Sequence, residues 1–140
     1  MNNIEDDQYC FVCGKKNENG LRLEFFYNNN KIFARVVFDK RFQGWKDVVH
    51  GGLVSTVLDE AMAKITGYLG YYCVTAEINI KFKNPVSVGK EYVVEGEIIE
   101  RRGKIFFTKS CLKDISGNVF ALANGKMFLI KDRSEEIIKD

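Results

Sequence analysis

One helical segment set among strand-like runs is the feature that most constrains this chain. Over residues 51–66 the apolar side chains recur every three or four positions and fall on one arc of a helix. Over residues 74–83 the period changes to two, with apolar residues at the even positions and polar residues at the odd ones. A chain with one amphipathic helix and a half-buried sheet has few ways to cover both apolar surfaces.

Strand-like runs stand on both sides of the helix, and short turn sequences separate them. Two runs before the helix flank three consecutive asparagines and predict a hairpin. Short turns favour antiparallel neighbours, because parallel pairs need long crossovers. The sequence therefore predicts an α+β fold in which a curved antiparallel sheet wraps around one central helix. The predicted strands are residues 21–27, 32–38, 74–83, 92–99, 105–112 and 119–130.

Size and charge limit the classes of protein to which the chain can belong. Its 140 residues fit one domain, so we expect a single unit over residues 1–140, with loose termini at 1–9 and 131–140. A net charge of +2 with scattered basic residues does not predict a nucleic-acid partner. No apolar run approaches the roughly 20 residues that span a bilayer, and the acidic N-terminus is unlike a signal peptide. We therefore expect no membrane partner and a cytoplasmic location.

The segment HGGLVSTVLDEAMA, at residues 50–63, is the strongest candidate for a functional site. Its two glycines stand at the helix start and allow a ligand to approach the backbone closely. The first N–H groups of a helix lack intrahelical partners and suit an anion or a developing oxyanion. Asp59 lies farther along, beside the small residues Ser55, Thr56 and Ala63. Periodicity alone leaves Asp59 open between an exposed polar residue and a functional carboxylate.

Two other polar residues of this segment have simpler interpretations. Glu60, with Lys64 four residues later, is typical of a solvated ion pair on a helix surface. His50 is the only histidine and invites a role as general base. It could equally cap the helix or brace the preceding loop, since no serine or cysteine nucleophile pairs with it in a known motif.

Cys10 and Cys13 have the C-x-x-C spacing of metal and redox sites. A structural zinc site needs four ligands, for which Cys73, Cys111 and His50 are the remaining candidates. A redox pair is expected in a βαβ setting, which this sequence lacks. We favour a tight turn with buried thiols, and we predict no metal and no bound cofactor.

The helical segment resembles the signature of the hotdog-fold acyl-CoA thioesterases, in the branch that includes the phenylacetate-pathway thioesterase. The likeness extends to CFVCGKKNENGLRLEF at residues 10–25, to FQGWKDVVHGG at 42–52 and to INIKFKNPVSVGKEYVVEGEI at 78–98. It covers most of residues 10–130. The resemblance implies an antiparallel sheet of five or six strands around one long helix. It also implies homodimers or homotetramers with active sites at the subunit interfaces.

The same resemblance implies roles for individual residues. These enzymes use an acidic residue nine positions after the histidine as nucleophile or general base, which implies Asp59. The glycine after the histidine donates its N–H to the thioester oxygen, which implies Gly51, and Gly52 would support the turn. A Ser or Thr ten residues before the strand-end proline helps the attacking water, which implies Thr75. However, the alternation over residues 74–83 places Thr75 on the polar face, away from the helix.

A further position departs from the family pattern. Several relatives carry an asparagine six residues before the histidine, where this chain has Gly44, with Gln43 beside it as the candidate substitute. The leading expectation is hydrolysis of an acyl-CoA thioester. The alternatives are a hotdog hydratase or dehydratase and a non-catalytic acyl-CoA-binding module. The candidate catalytic residues are Asp59, Gly51, Thr75 and His50, and the candidate substrate-binding residues are Gly52, Gln43 and Gly44.

Overall fold

The computed structural model describes residues 4–136 and contains, within them, one α-helix and one six-stranded antiparallel sheet. The predicted antiparallel sheet around one central helix is therefore confirmed. Among the same residues, no helix combines the length and the apolar character that crossing a bilayer requires. The elements are β1 (Phe26–Asn28), β2 (Lys31–Val37), α1 (Gly51–Tyr68), β3 (Tyr71–Phe82), β4 (Glu91–Arg102), β5 (Ile105–Asp114) and β6 (Val119–Asp132), with 3-10 turns at Lys40–Phe42 and Ser134–Glu136.

The order of the strands in the sheet is β1-β2-β4-β5-β6-β3. After β2 the chain forms α1, and β3 then lies at the opposite edge of the sheet. The remaining three strands fill the space between the edges, each joined to the next by a short turn. The helix contacts β2 through β6. Because β3 is an edge strand, one of its sides has no strand partner within residues 4–136.

The predicted apolar stripe of the helix forms the centre of the core. Its six residues are at most 2% exposed, and they pack against the inner face of the sheet. Burial of this apolar area is the main stabilising contribution to such a domain. The six helix residues are Val54, Val57, Leu58, Ala61, Met62 and Ile65.

The helix packs closely against the middle of the sheet. A Cβ atom added to Gly96 in β4 would lie only 2.4 Å from the carbonyl oxygen of Ala61, so glycine is required at this close approach. Beside it, the buried hydroxyl of Ser110 in β5 donates to the carbonyl oxygen of Leu58 at 2.9 Å. These contacts fix the position of the helix along the sheet as well as its distance from it.

The predicted hairpin is confirmed, but its first strand is shorter than expected. The turn residues Asn29 and Asn30 have φ angles of 51° and 63°, which suit a two-residue turn between twisted strands. The first strand, β1, covers Phe26–Asn28 instead of residues 21–27. Arg22 has a φ of 52°, a left-handed conformation that interrupts an extended strand.

A β-bulge in β3 changes which residues face the helix. Thr75 pairs with Met127 and Glu77 with Lys126, so Ala76 is an extra residue without a partner. Met127 is fully buried, and Thr75 shares its face of the sheet. The predicted placement of Thr75 away from the helix is therefore wrong, because the bulge shifts the two-residue period by one position. Beyond the bulge, even-numbered isoleucines pack against the core as predicted.

The last strand extends slightly past its predicted end. β6 continues to Asp132, and the 3-10 turn Ser134–Glu136 follows it. Residues 1–3 and 137–140, which belong to the two termini predicted to be loose, lie outside the described residues.

Candidate active site

His50 and two glycines build the start of α1. The Nδ1 atom of His50 accepts a hydrogen bond from the N–H of Gly52 at 2.9 Å, so His50 is the N-cap of the helix. A Cβ atom at Gly52 would lie 3.0 Å from this Nδ1 atom, which explains the glycine. The structure thus gives His50 one of the two structural roles predicted for it. The nitrogen lone pair that faces the helix start is engaged in the cap.

Gly51 offers a backbone donor at the entrance of the helix. It is the first residue of α1 and is exposed, and its N–H makes no hydrogen bond to any of residues 4–136. The Phe82 ring borders this position, because a Cβ atom added to Gly51 would lie 3.6 Å from Phe82 Cε1. The helix dipole adds partial positive charge at the same place. The geometry suits a carbonyl oxygen that gains negative charge.

The loop before the helix is braced by Gln43. Its Oε1 atom accepts a hydrogen bond from the N–H of Asp47 at 2.9 Å. The N–H of Gly44 donates to the carbonyl oxygen of Val48 at 2.8 Å, and a Cβ atom at Gly44 would lie 3.3 Å from the Cα of His50. Both residues shape the loop. Their part in positioning water or substrate stays a prediction.

A cavity opens between this loop and the helix start. Its volume is about 480 Å³, and Gly51 is among its lining residues. Trp45, which also lines it, has 85% of its surface exposed, an unusual state for the largest apolar side chain. The Trp45 side chain and the Gly51 backbone therefore line the same cavity. The lining residues are Gly44, Trp45, Val48, Val49, His50 and Gly51.

Asp59 and Thr75 form the second part of the candidate site. Asp59 is half-buried on α1, and the Oγ1 atom of Thr75 donates a hydrogen bond to Asp59 Oδ1 at 2.6 Å. The bulge in β3 brings the Thr75 hydroxyl to this side of the sheet. The other carboxylate oxygen, Oδ2, has no hydrogen-bond partner within residues 4–136. Nearby, the hydroxyls of Ser55 and Thr56 donate to the helix carbonyl oxygens of Gly51 and Gly52 at 2.8 Å instead of to the carboxylate.

The surroundings of Glu60 differ from those expected. Glu60 and Lys64 are both half-buried, and the thiol of Cys10 lies 3.2 Å from Glu60 Oε2. The predicted solvated ion pair is therefore wrong, because the N-terminal turn covers this part of the helix. In the sequence, only the C-x-x-C motif marks the N-terminal turn as a possible site. Its spacing does not predict the contact between Cys10 and Glu60.

Comparison with known families gives a clear assignment. Residues 46–121, more than half of the 140-residue chain, match the family model of the thioesterase superfamily. Acyl-coenzyme A thioesterase THEM4 of Bos taurus is 28% identical over 102 residues, which are 70% of this chain and 42% of that protein. The chain spans less than half the length of the curated relatives it matches.

Solved structures share the fold at lower sequence identity. A hypothetical thioesterase from Streptococcus pneumoniae, solved with coenzyme A, superposes with a TM-score of 0.75 at 17% identity and covers 80% of this chain and 91% of its own. The E. coli PaaI protein from the phenylacetic acid degradation operon gives a TM-score of 0.73 at 16% identity, with coverages of 80% and 82%.

The S. pneumoniae protein has also been solved with an aspartate and with a threonine replaced by alanine. The architecture is the hotdog fold predicted from the sequence. By the match over residues 46–121 and by this fold, the chain belongs to the thioesterase superfamily.

Proposed function

We propose that this chain hydrolyses an acyl-CoA thioester and that Asp59 is the carboxylate that activates water. The observation that carries the proposal is the hydrogen bond between Thr75 and Asp59, which orients the carboxylate and leaves its Oδ2 atom unpartnered. Membership of the thioesterase superfamily and the similarity to THEM4 support the reaction class. The coenzyme A in the S. pneumoniae structure supports the thiol part of the substrate.

The proposed chemistry uses two groups of the site. Asp59 takes a proton from water while the water oxygen bonds to the thioester carbon. The carbonyl oxygen gains negative charge, which the N–H of Gly51 stabilises. The C–S bond then breaks, and the coenzyme A sulfur leaves and takes up the proton. Direct attack by Asp59 would instead form an anhydride that water must open. Both routes require the same carboxylate.

The distance between these two groups supports an active site shared by two chains. Gly51 and Asp59 lie eight residues apart on α1, which corresponds to about 12 Å along the helix axis. A thioester carbonyl bound to the Gly51 N–H is therefore far from the Asp59 of the same chain. A second copy that brings its own helix alongside would place its Asp59 near this carbonyl.

The free edge of β3 supports the same arrangement. An exposed edge strand has unpaired N–H and C=O groups that readily pair with another chain. The β3 edge includes the exposed residues Thr75, Ala76 and Glu77, next to the candidate carboxylate. We infer that a second copy pairs along this edge to form a homodimer or a larger homo-oligomer. Its active sites then lie at the interface.

The experiment that tests the proposal compares the wild-type chain with Asp59→Asn on a panel of aryl, short-chain and long-chain acyl-CoA thioesters. Thiol release is the readout. We expect the variant to lose about 10²- to 10⁴-fold in kcat, the range for removal of a general base. Asp114→Asn, at the last residue of β5, is a matched control and should retain wild-type turnover.

Three outcomes would contradict the proposal. Undiminished turnover by Asp59→Asn would remove Asp59 from the chemistry. A wild-type chain that binds acyl-CoA but hydrolyses no member of the panel would instead be an acyl-CoA-binding module. A product hydrated across a carbon–carbon double bond would identify a hydratase.

A further inference from the structure

The turn that carries Cys10 and Cys13 is rigidly built and docked on the domain. The N–H of Gly14 donates to the carbonyl oxygen of Cys10 at 2.8 Å, and a Cβ atom at Gly14 would lie 2.5 Å from the Cys10 backbone. Only glycine fits this close approach. From outside the turn, the N–H groups of Leu21 and Leu23 donate to its carbonyl oxygens at 2.9 and 2.8 Å. The two thiols are therefore held in place before any ligand arrives.

Three metal-binding side chains meet where this turn contacts α1. The Sγ atoms of Cys10 and Cys13 and a carboxylate oxygen of Glu60 all lie within 4.8 Å of one another, and all three residues are half-buried. In a tetrahedral zinc site, with Zn–S near 2.3 Å and Zn–O near 2.1 Å, the ligand atoms are about 3.6–3.8 Å apart. The Cys10–Glu60 separation of 3.2 Å is close to that spacing. A zinc ion therefore fits with small side-chain movements.

The charged groups around the cluster suit a divalent cation. Lys64 lies one helical turn after Glu60 and lines the same cavity as the three cluster residues. In the metal-bound state two thiolates and one carboxylate carry three negative charges. Lys64 balances one of these charges, and a divalent ion balances the other two.

We propose that Cys10, Cys13 and Glu60 form a zinc-binding site, with a water molecule as the fourth ligand. Binding forms two Zn–S bonds and one Zn–O bond, and the two thiol protons leave to solvent. No oxidant or reductant takes part. Thiolate ligands select zinc over magnesium or calcium, which prefer oxygen.

The environment of the cluster provides room for the fourth ligand. Cys10, Cys13, Glu60 and Lys64 line one side of a cavity of about 700 Å³. The C-x-x-C spacing alone would direct a search for further ligands to the other cysteines and the histidine. Within the described part of the chain, none of those residues joins the cluster, and the fold supplies Glu60 in their place.

The proposed site has a structural consequence that does not depend on thioester hydrolysis. The zinc ion would join the N-terminal turn to α1 at Glu60, the residue after Asp59. It would hold the helix and the segment before β1 in one position. Removal of the ion should therefore lower the thermal stability of the whole domain.

The test uses the full chain, reduced, stripped with a chelator and then titrated with Zn²⁺ or Co²⁺. We expect one metal ion per chain by mass spectrometry, a thiolate-to-cobalt charge-transfer band, and a rise in Tm that the chelator reverses. Cys13→Ser and Glu60→Gln should each weaken zinc binding by at least about 100-fold, since loss of an outer-shell partner alone costs 10- to 100-fold. Cys111→Ser, which removes another half-buried thiol, is the matched control and should bind as the wild type does.

Two results would overturn the proposal. One is a reduced wild-type chain that binds no metal and shows no change in Tm with zinc or chelator. The other is unchanged affinity in both Cys13→Ser and Glu60→Gln. Circular dichroism checks that each variant is folded. The stoichiometry and the Tm change of the wild type decide the question even if a cysteine variant does not fold.

Discussion

At the scale of single residues, the hydrogen bond from Thr75 makes the two oxygens of Asp59 unequal. Oδ1 accepts the hydroxyl at 2.6 Å, and Oδ2 is left for water. A carboxylate fixed in this way spends less of its time in unproductive rotamers. Thr75 is in this account a positioning residue, since it acts through Asp59.

This positioning role predicts that kcat depends on whether residue 75 carries a hydroxyl group. Thr75→Val keeps the shape but removes the hydroxyl, and we expect kcat to fall about 10- to 100-fold, which corresponds to one hydrogen bond to a charged group. Thr75→Ser keeps the donor and should recover most of the loss. Steady-state kinetics should show the change in kcat with little change in KM. Wild-type kcat in Thr75→Val would show that the hydroxyl has no such role.

His50 is expected to contribute to stability through its cap. His50→Ala should lower the free energy of unfolding by about 1 kcal/mol, because the N–H of Gly52 loses its acceptor. His50→Asn, which retains a capping oxygen, should restore most of that stability. Urea denaturation measures both. A stable His50→Asn protein with little turnover would instead indicate that the histidine is a general base.

At the scale of secondary-structure elements, the helix and the bulged strand differ in how well the sequence predicts them. The start of α1 and its apolar stripe follow from a pattern contained within one short window. The bulge at Ala76 follows from pairing with β6, some fifty residues later in the chain, and no local pattern reveals it. The local pattern of the helix therefore predicts Asp59 as a candidate residue. Its contact with Thr75 depends on the bulge, so the sequence does not predict it.

The close approach of helix and sheet gives a prediction at this scale. Gly96→Ala should destabilise the domain by about 1–3 kcal/mol or more, since the added methyl meets the rigid backbone of Ala61. Gly125→Ala should cost less, because the nearest atoms belong to the flexible Met62 side chain. Chemical denaturation gives the comparison.

Gly67 in α1 serves as the control for these two substitutions. An added Cβ atom there has no neighbour within 4 Å, so Gly67→Ala should be neutral or stabilise by up to about 1 kcal/mol through helix propensity. Equal losses of stability in all three variants would show that close packing at Gly96 is not the cause.

At the scale of the whole molecule, the account depends on a second copy of the chain. The Gly51 donor and the Asp59 carboxylate are about 12 Å apart on one helix, and β3 leaves an unpaired edge beside them. The fold of one chain was predictable from its own sequence. The pairing of two chains stays a proposal, and the cytoplasmic location stays a prediction.

Gly51→Pro isolates the proposed oxyanion donor. Proline is well tolerated as the first residue of a helix, and His50 has an extended conformation (φ −59°, ψ 131°) that suits a following proline. The substitution removes the N–H and adds a ring whose Cβ atom would be in ordinary contact with Phe82, so we expect kcat to fall about 10²- to 10³-fold while the fold is retained. Gly51→Ala keeps the N–H and should be far more active. Equal activity of the proline and alanine variants would exclude the donor role.

The central claim is tested most directly by mixing two inactive chains. Asp59→Asn and Gly51→Pro are each expected to be nearly inactive alone. In a mixed dimer, one site receives an intact Gly51 from one chain and an intact Asp59 from the other. Co-expression with random pairing should therefore recover about a quarter of the wild-type thioesterase activity, given two-fold symmetric interfaces. Activity no higher than the sum of the two separate variants would contradict a site shared between chains.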